Sequence, residues 1–501
     1  MLAQGATEVP LYGVYEQTFT GSSNYTYTNA PILKVTFRGV SGEARGASLA
    51  VQGFWDGGSS FRVRFSPRLP GIWRYTTSSQ DRGLNGFSGS VVVLGRLPAE
   101  HASHRGHIVA NSDYPYTLMY SDGTPYFLMG DTQWSFSTDA ISWPDEFQTY
   151  IDTRAAQGFN YVHGVVYQLK PDGNDTNEGG QSFHDHDVDR LNPGFWQAFD
   201  KRVEYMNQKG IVVGFVLAWA NEGWTNFSTK AQVERYAQYV IDRYGAYNLI
   251  WVTEGEYEEA TLPGGHNNLG NYFKDHDPYD HLRTAHTVNT TADDFGEQDW
   301  LTVIYQHLRQ DLGKNITQDR IYRKPVINSE YGYEGRYPSD EVRYRSWEIV
   351  MSGGFYVYGN LTTFHANAEM TRSNLYSPGA RYSTHLVNFF QKTDWWELEP
   401  EHGLVSGGGK YALANEDKEY VIYIKNGSRK IFGFLPRFWR KTGEAVSVDL
   451  SSSSPDATYS ALWFNPKTGI EQHAGSVIGG ASMRMVSPFF EDSVLLLSRH
   501  P

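Results

Sequence analysis

Apolar residues in the middle of the chain form short runs that alternate with longer segments of mixed polarity. Eight of these runs lie between about residue 105 and residue 395, and each has the length of a buried strand. Strands alternating with helices are typical of a parallel sheet, so eight such units predict a (β/α)8 TIM barrel of the α/β class. The predicted strands are Tyr126–Gly130, Phe159–Val166, Ile211–Trp219, Asn248–Glu254, Leu282–Val288, Leu301–Tyr305, Pro325–Glu330 and Gly354–Tyr358.

Four segments between these strands carry helix signals at both ends. Proline, lysine or serine stands at the start, and a glycine follows within two residues of the end. Proline in the first turn and glycine just past the last turn are the expected helix boundaries. The predicted helices are Pro144–Gln157, Pro193–Lys209, Lys230–Tyr244 and Ser339–Met351.

Both ends of the chain have short β-rich runs separated by turn residues, which predicts a β-sandwich on each side of the barrel. A chain of 501 residues is too long for one core. We therefore predict an N-terminal β-sandwich (1–100), a catalytic barrel (101–400) and a C-terminal antiparallel β-sandwich (401–501). The predicted flanking strands are Leu33–Phe37, Ser48–Phe54, Phe61–Phe65, Ile72–Thr77, Gly89–Leu94, Glu419–Lys425, Ala445–Val448, Tyr459–Phe464 and Ser493–Leu497.

Charge and cysteine content narrow the function classes. The formal net charge of −13 argues against nucleic acid or an anionic membrane as partner. The absence of cysteine excludes disulfides and thiolate chemistry. No apolar stretch approaches the length that spans a bilayer, and no leader is recognisable at the start. We expect a cytoplasmic protein, or a secreted or periplasmic one if a leader precedes this sequence. The sequence does not indicate whether the protein is a monomer or an oligomer.

Carboxylates stand at the ends of two predicted strands. Glu330 ends the seventh strand, and Glu254 and Glu256 stand at the end of the fourth. Strand ends of a β/α barrel meet at one mouth, where a facing carboxylate pair can cleave a glycosidic bond. Side chains alternate along extended backbone, so both Glu254 and Glu256 remain candidates for the acid.

Polar and aromatic residues recur at the other strand ends. We expect Asp131 to accept hydrogen bonds from sugar hydroxyls and Trp134 to stack on a sugar ring. An aromatic content of 15% fits this interpretation but fits a well-filled core equally. The predicted substrate-binding residues are Asp131, Trp134, His163, Trp219, Glu254, His286, Tyr305 and Tyr333.

A His-Asp-His-Asp run at His184–Asp187 suggests a metal at first sight. It lies in the glycine-rich loop Pro171–Asp189, after the second predicted strand. A barrel metallohydrolase usually places its histidine pair on a strand, and loops of this kind are commonly solvated. We therefore predict no metal and no cofactor.

Several segments resemble the apiosidase-like glycoside hydrolases, which include glycoside hydrolase family 140. The resemblance implies a barrel enzyme with its nucleophile at Glu330. In the family, the residue after the glycine of the fourth-strand segment is an Asp that serves as acid/base, and here that position is Glu256. The matching segments are Phe127–Trp134, Gln157–Asn160, Lys209–Phe215 running to Trp219, Asn248–Trp251 with Gly255–Glu256, His281–His286, and Lys324–Glu330 with Tyr333–Glu334.

Residues and resemblance together predict a retaining glycoside hydrolase that acts on a plant, algal or bacterial carbohydrate. Glu330 is the predicted nucleophile and Glu256 the predicted acid/base. One alternative is a non-catalytic carbohydrate-binding protein on a degenerate barrel. A second alternative is a metal-dependent barrel hydrolase that uses the loop histidines His184 and His186.

Overall fold

The N-terminal part of the chain is a seven-stranded, mostly antiparallel β structure. The computed structural model describes residues 7–95, 105–167, 175–364, 372–407, 410–425 and 443–499. The seven strands pair in the order β1-β7-β6-β3-β4-β5-β2. Buried and exposed residues alternate along β3 and β6, as a sandwich with one solvated face requires. Strand bounds are β1 Thr7–Pro10, β2 Tyr15–Thr20, β3 Leu33–Gly39, β4 Ser48–Trp55, β5 Ser60–Phe65, β6 Gly71–Ser78 and β7 Ser88–Leu94.

All five predicted N-terminal strands are confirmed, and the unpredicted β1 and β2 occupy the two edges of the sheet. Edge strands are half-solvated and carry a weaker apolar signal. The predicted domain boundary at residue 100 lies outside the described residues. A small antiparallel pair, β8 (Ile108–Ala110) and β9 (Leu118–Tyr120), precedes the barrel.

The central part of the chain is the (β/α)8 barrel. Its eight strands are parallel and follow one another round the sheet in chain order, with no ladder between β16 and β17 among the described residues. All eight predicted strands are confirmed, and each is shorter than predicted. Bounds are β10 Met129–Thr132, β11 Tyr161–Tyr167, β14 Val212–Ala218, β15 Leu249–Val252, β16 Arg283–Thr284, β17 Ile304–Gln306, β18 Val326–Asn328 and β19 Phe355–Tyr358; the loop after β11 adds β12 Thr176–Asn177 and β13 Gly180–Gln181.

Helices lie between the barrel strands, and local sequence explains where they begin. The Asn192 side chain accepts a hydrogen bond from the Gly194 amide at the start of α2. Thr229 and Gln232 form a reciprocal capping box at the start of α3. All four predicted helices are confirmed. Helix bounds are α1 Asp145–Ala156, α2 Pro193–Gln208, α3 Lys230–Tyr244, α4 His266–His276, α5 Ala292–Phe295, α6 Leu312–Asp319, α7 Ser339–Met351, α8 Arg372–Leu375 and α9 Pro378–Phe390.

The C-terminal part returns to antiparallel β structure. A six-stranded sheet, β20-β21-β22-β27-β24-β25, is joined by the separate pair β23–β26. All four predicted strands are confirmed, whereas β20, β21, β25 and β26 were not predicted. β25 and β26 are largely solvated. No helix in the described ranges is long and apolar enough to cross a membrane. Bounds are β20 Glu399–Pro400, β21 Lys410–Asn415, β22 Glu419–Ile424, β23 Ala445–Asp449, β24 Thr458–Phe464, β25 Glu471–Ile478, β26 Ser482–Val486 and β27 Ser493–Arg499.

A buried ion-pair network joins the N-terminal sandwich to the outer helices of the barrel. Asp200 on α2 lies 2.6 Å from both Arg64 on β5 and Arg243 on α3, and Arg243 also lies 2.9 Å from Asp56. Burial alone would raise the pKa of Asp200, but the charges of Arg243 and Arg64 outweigh it and hold that pKa below its ordinary value. The N-terminal sandwich is therefore fixed to the barrel by charges withdrawn from water.

We expect Asp200→Asn to destabilise the protein by about 3–5 kcal/mol, because Arg64 and Arg243 would stay buried without their shared anion. The depressed pKa of Asp200 contributes stability above the unfolded value of about 4, and this contribution is lost as pH falls through the folded pKa. The difference in stability between wild type and Asp200→Asn should therefore become smaller at acid pH. Thermal unfolding midpoints of both proteins, measured over a pH series, test this.

The matched control is Asp185→Asn, which removes an exposed anion from its 2.6 Å pair with Arg190 and should change the midpoint little. Equal midpoints for Asp200→Asn and wild type at neutral pH would contradict the structural role of the network.

Candidate active site

Two carboxylates share one imidazole at the mouth of the barrel. Glu256 follows β15, His307 follows β17 and Glu330 follows β18. His307 Nδ1 lies 3.2 Å from Glu256 Oε1, and His307 Nε2 lies 3.1 Å from Glu330 Oε1. The side chains of Glu256 and Glu330 are 17% and 9% exposed, so both lie mostly out of water yet remain reachable. The structure thus brings together the strand-4 and strand-7 carboxylates.

The backbone before Glu256 explains how its side chain enters the mouth. Gly255 bridges to Trp219 at the end of β14, and a Cβ at Gly255 would lie 2.1 Å from the Trp219 ring. Only glycine permits this close approach. Glu256 itself has φ +40°, a left-handed conformation uncommon for a residue with a side chain. Such strain costs on the order of 1–3 kcal/mol and is concentrated at functional sites.

Glu330 is held as an ionised carboxylate. Its backbone amide donates to Asn328 Oδ1 at 3.2 Å, and its Oε1 accepts from Arg309 Nη2 at 2.9 Å. Burial on its own would raise the pKa of Glu330. The hydrogen bond from His307, and the charges of His307 and Arg309, outweigh burial and lower that pKa below its ordinary value.

His307 is held as a cation at neutral pH. Burial would lower its pKa, but the hydrogen bonds to Glu256 and Glu330 raise it to about 9. Nδ1 also lies 3.2 Å from the carbonyl oxygen of Thr287. A positive imidazole between two carboxylates therefore sets the charge of the site.

Glu254, the second strand-4 candidate, faces a different partner. Its Oε2 lies 2.7 Å from Nδ1 of His266, the first residue of α4. Glu254 is only 1% exposed, and its Oε1 has no hydrogen-bond partner among the described residues. Burial raises its pKa, and the bond to His266 opposes that rise. Glu254 is thus less accessible to a substrate than Glu256.

Aromatic rings line the mouth beside the carboxylates. Trp134 stacks on His163 at 4.5 Å and meets the half-buried Trp219 edge-on at 5.1 Å. Its indole nitrogen donates to the Tyr333 hydroxyl at 3.1 Å. His163 accepts or donates at Thr132 Oγ1 over 2.9 Å, and burial lowers its pKa to about 3, so it is neutral. These predicted residues form one contiguous wall, in which Trp219 is half-buried and Trp134 is 5% exposed.

His286 lies between this wall and the carboxylates. Its ring is 5.4 Å from Trp134 and 5.6 Å from His307. It is fully buried, and neither ring nitrogen has a hydrogen-bond partner among the described residues. Burial, followed by the charge of His307, lowers its pKa well below the ordinary value. Glu256, His286 and His307 each offer a ligand atom, all within 4.8 Å of one another, so this group could hold a metal.

The loop histidines considered as a metal site are arranged differently. His184 and His186 are exposed, and His186 Nδ1 lies 3.1 Å from Asp175. Neither belongs to the group of Glu256, His286 and His307 that could hold a metal among the described residues. This geometry gives no support to a metallohydrolase that uses them.

Two predicted substrate contacts have placements that do not fit that role directly. Tyr305 is fully buried, and its hydroxyl contacts that of Tyr161 on β11 across the barrel interior, so it forms the floor beneath the mouth. Asp131 points outward. Its Oδ2 accepts from Tyr150 at 2.8 Å and pairs with Arg154 at 2.5 Å, both on α1. The expectation that Asp131 binds sugar hydroxyls is inconsistent with this placement.

The sequence pattern assigned no role to three residues that the structure brings to the carboxylates: His307, Arg309 and His266. A signal existed for His307, because it follows Tyr305 at the two-residue spacing that places both on one face. Arg309 and His266 lie in loops or at a helix start, where no periodicity predicts direction.

A (β/α)8 barrel whose mouth presents facing carboxylates among aromatic rings defines a glycoside hydrolase. The comparison with protein families gives the particular group. The model of the apiosidase-like catalytic domain matches residues 112–397, more than half of the chain, so this chain belongs to that family. A domain of unknown function matches residues 8–80. No curated protein matches the sequence.

Solved structures share the fold at low identity. A candidate glycoside hydrolase from Bacteroides vulgatus aligns over 99% of this chain and 100% of its own, with TM-score 0.79 and 18% identity. A family 5 glycoside hydrolase from the same organism covers 80% of this chain and 94% of its own, with TM-score 0.64 and 21% identity. At these identities the likeness concerns architecture alone, including the flanking β domains in the first case.

Asp131→Asn tests the outward placement. It removes the only negative charge contacting the fully buried Arg154 among the described contacts, so we expect a loss of about 3–5 kcal/mol in stability. Turnover per folded molecule, assayed well below the melting temperature, should stay within about twofold of wild type. A large drop in kcat/KM with an unchanged melting temperature would instead indicate that Asp131 contacts the substrate.

Proposed function

We propose that this glycoside hydrolase works by a retaining double displacement, with Glu330 as nucleophile and Glu256 as acid/base. The observation that supports this pair of roles is the contact of both carboxylates with opposite nitrogens of His307 at the barrel mouth, and the retaining course itself is tested below. The two groups come from different strands, so each can approach the glycosidic bond from its own side.

In the first step a Glu330 oxygen attacks the anomeric carbon, and the bond to the leaving oxygen breaks as that oxygen takes a proton from Glu256. This step uses the form of the site in which Glu256 is protonated and Glu330 is ionised. In the second step Glu256 accepts a proton from water, whose oxygen attacks the anomeric carbon and releases Glu330. Glu330 suits the first role because its pKa is lowered despite burial, so it is ionised. His307 and Arg309 orient its carboxylate.

Glu256 suits the acid/base role better than Glu254. Glu256 shares His307 with the nucleophile and remains partly exposed, so it can reach a leaving oxygen and later a water. Glu254 is enclosed and bound to His266. A raised pKa favours a protonated Glu254, yet a proton donor must first reach the substrate.

The surroundings support a neutral, hydroxyl-rich carbohydrate as substrate, of plant, algal or bacterial origin. A cleft of about 600 Å³ adjoins the segment that follows Glu256, and its lining includes Glu258, Glu259 and Asp294. Carboxylates accept hydrogen bonds from sugar hydroxyls and repel uronic acids. The leaving-group side of the substrate would lie in this cleft, with the cleaved sugar against the half-buried ring of Trp219.

The stereochemical course tests the mechanism. We expect the first-formed product, followed by proton NMR on an activated aryl glycoside chosen from a panel, to keep the anomeric configuration of the substrate. Glu330→Gln should lower kcat by about 10⁴-fold or more, since the covalent step is lost. First-formed product of inverted configuration would overturn the nucleophile role and would mean that water enters between the two carboxylates.

Paired substitutions separate the two strand-4 candidates. Glu256→Gln should abolish cleavage of substrates with poor leaving groups, yet retain turnover of a dinitrophenyl glycoside, which departs without protonation. Azide should rescue the variant by attacking the glycosyl-enzyme without base assistance. Glu254→Gln is the matched control. Its activity should show no special dependence on the leaving group, and azide should not increase it. If Glu254→Gln shows this pattern and Glu256→Gln does not, the roles are exchanged.

A further inference from the structure

We propose that Glu256, His286 and His307 form a binding site for a divalent transition-metal cation of the Zn²⁺ class. Each residue offers one ligand atom, and the three atoms lie within 4.8 Å of one another. The three come from the ends of different barrel strands, so the fold rather than local sequence assembles the group.

The independent observation is the state of His286. Its side chain is fully buried at the mouth, and neither nitrogen meets a hydrogen-bond partner among the described residues. A buried polar group left unpaired costs about 1–3 kcal/mol, so such a group in a native site calls for a ligand. A cation between His286, Glu256 and His307 would supply it.

The donor set selects the cation. Two imidazoles and one carboxylate suit Zn²⁺, Co²⁺, Ni²⁺ or Cu²⁺, whereas Ca²⁺ and Mg²⁺ prefer oxygen ligands. Zinc–ligand bonds are about 2.0–2.2 Å long, so the ligand atoms must close in slightly from their present spacing. Glu256 is partly exposed and can make this movement. Three protein ligands leave a fourth position open to water.

The surroundings of His307 place one carboxylate at each ring nitrogen, and Arg309 contacts both Nε2 and Glu330. Nδ1 faces Glu256 at 3.2 Å, while Nε2 faces Glu330 at 3.1 Å. His307 is protonated at neutral pH, so the cation displaces the Nδ1 proton to solvent as it binds. Nε2–H can still donate to the Glu330 carboxylate, which fixes the ring and strengthens the ligand. The Thr287 carbonyl oxygen also lies 3.2 Å from Nδ1.

A cation bound at this site prevents glycoside cleavage, and this consequence rests on the proposed function. A Glu256 carboxylate bound to a cation cannot protonate the leaving oxygen. Cation and substrate therefore compete, and the protein is inhibited by Zn²⁺. Binding of the cation itself does not depend on Glu256 being the acid/base.

The experiment uses the full chain after removal of metals with a chelator. Zn²⁺ binding is followed by isothermal titration calorimetry, and Co²⁺ binding by its visible absorption bands, which report nitrogen and oxygen ligands without any need for activity. We expect one equivalent of each cation to bind. His286→Ala and Glu256→Gln should each weaken Zn²⁺ binding by about 100-fold or more, because loss of an outer partner alone costs 10–100-fold.

The double variant His184→Ala/His186→Ala is the matched control, since it removes two exposed histidines of the loop after β11 that do not belong to the three-residue group. It should bind Zn²⁺ as wild type does. Glu256→Gln keeps the proposal testable if His286→Ala does not fold. Absence of stoichiometric binding, or loss of binding in the loop variant and not in the two site variants, would overturn the site.

An inhibition assay distinguishes failure of the cation site from failure of the proposed glycosidase mechanism. Zn²⁺ should inhibit hydrolysis of the aryl glycoside with a constant equal to its dissociation constant, and chelator should restore the rate. Zn²⁺ bound at one equivalent with an unchanged rate would overturn the exclusion of cation and substrate. Zn²⁺ binding in a protein that hydrolyses no glycoside would support the cation site and overturn the glycosidase mechanism.

Discussion

The imidazole of His307 between the carboxylates of Glu256 and Glu330 is the interaction on which the rest of the site depends. It joins the end of β15 to the ends of β17 and β18, which pair with each other but not with β15. It also sets the charge of Glu330, because the protonated imidazole keeps that carboxylate ionised despite its burial. In a low-dielectric mouth an isolated carboxylate would take up a proton instead, so the nucleophile proposed here exists only with its partner.

The barrel was predictable because its strands are continuous apolar runs and its helices have clear ends. The site was only partly predictable. Alternation along a strand predicted that Glu254 and Glu256 would point the same way, but β15 ends at Val252. Beyond it, Gly255 closes against Trp219 and Glu256 adopts a left-handed conformation, so the two side chains go to different partners. Such a change of direction leaves no periodic trace in the sequence.

The same limit applies to Asp131. Strand-end position alone cannot say whether a residue faces the barrel axis or the helices. On β10 the inward residue is Thr132, which meets His163, and Asp131 therefore faces Arg154 on α1. What the sequence lacked was the register of β10 against β11, a long-range fact that pairs Thr132 with His163.

Buried polar atoms without partners gather at this mouth. Nδ1 of His163, Oε1 of Glu254 and both nitrogens of His286 are examples among the described residues. Each such atom lowers the stability of the free protein by about 1–3 kcal/mol, and a ligand that supplies the missing hydrogen bond recovers that energy on binding. Sugar hydroxyls can both donate and accept, so they suit neutral imidazoles of either tautomer. A transition-metal cation can use the same lone pairs of His286 more strongly. The free energy that these unpaired atoms cost the free protein is therefore recoverable by either ligand, and the two must compete for His286.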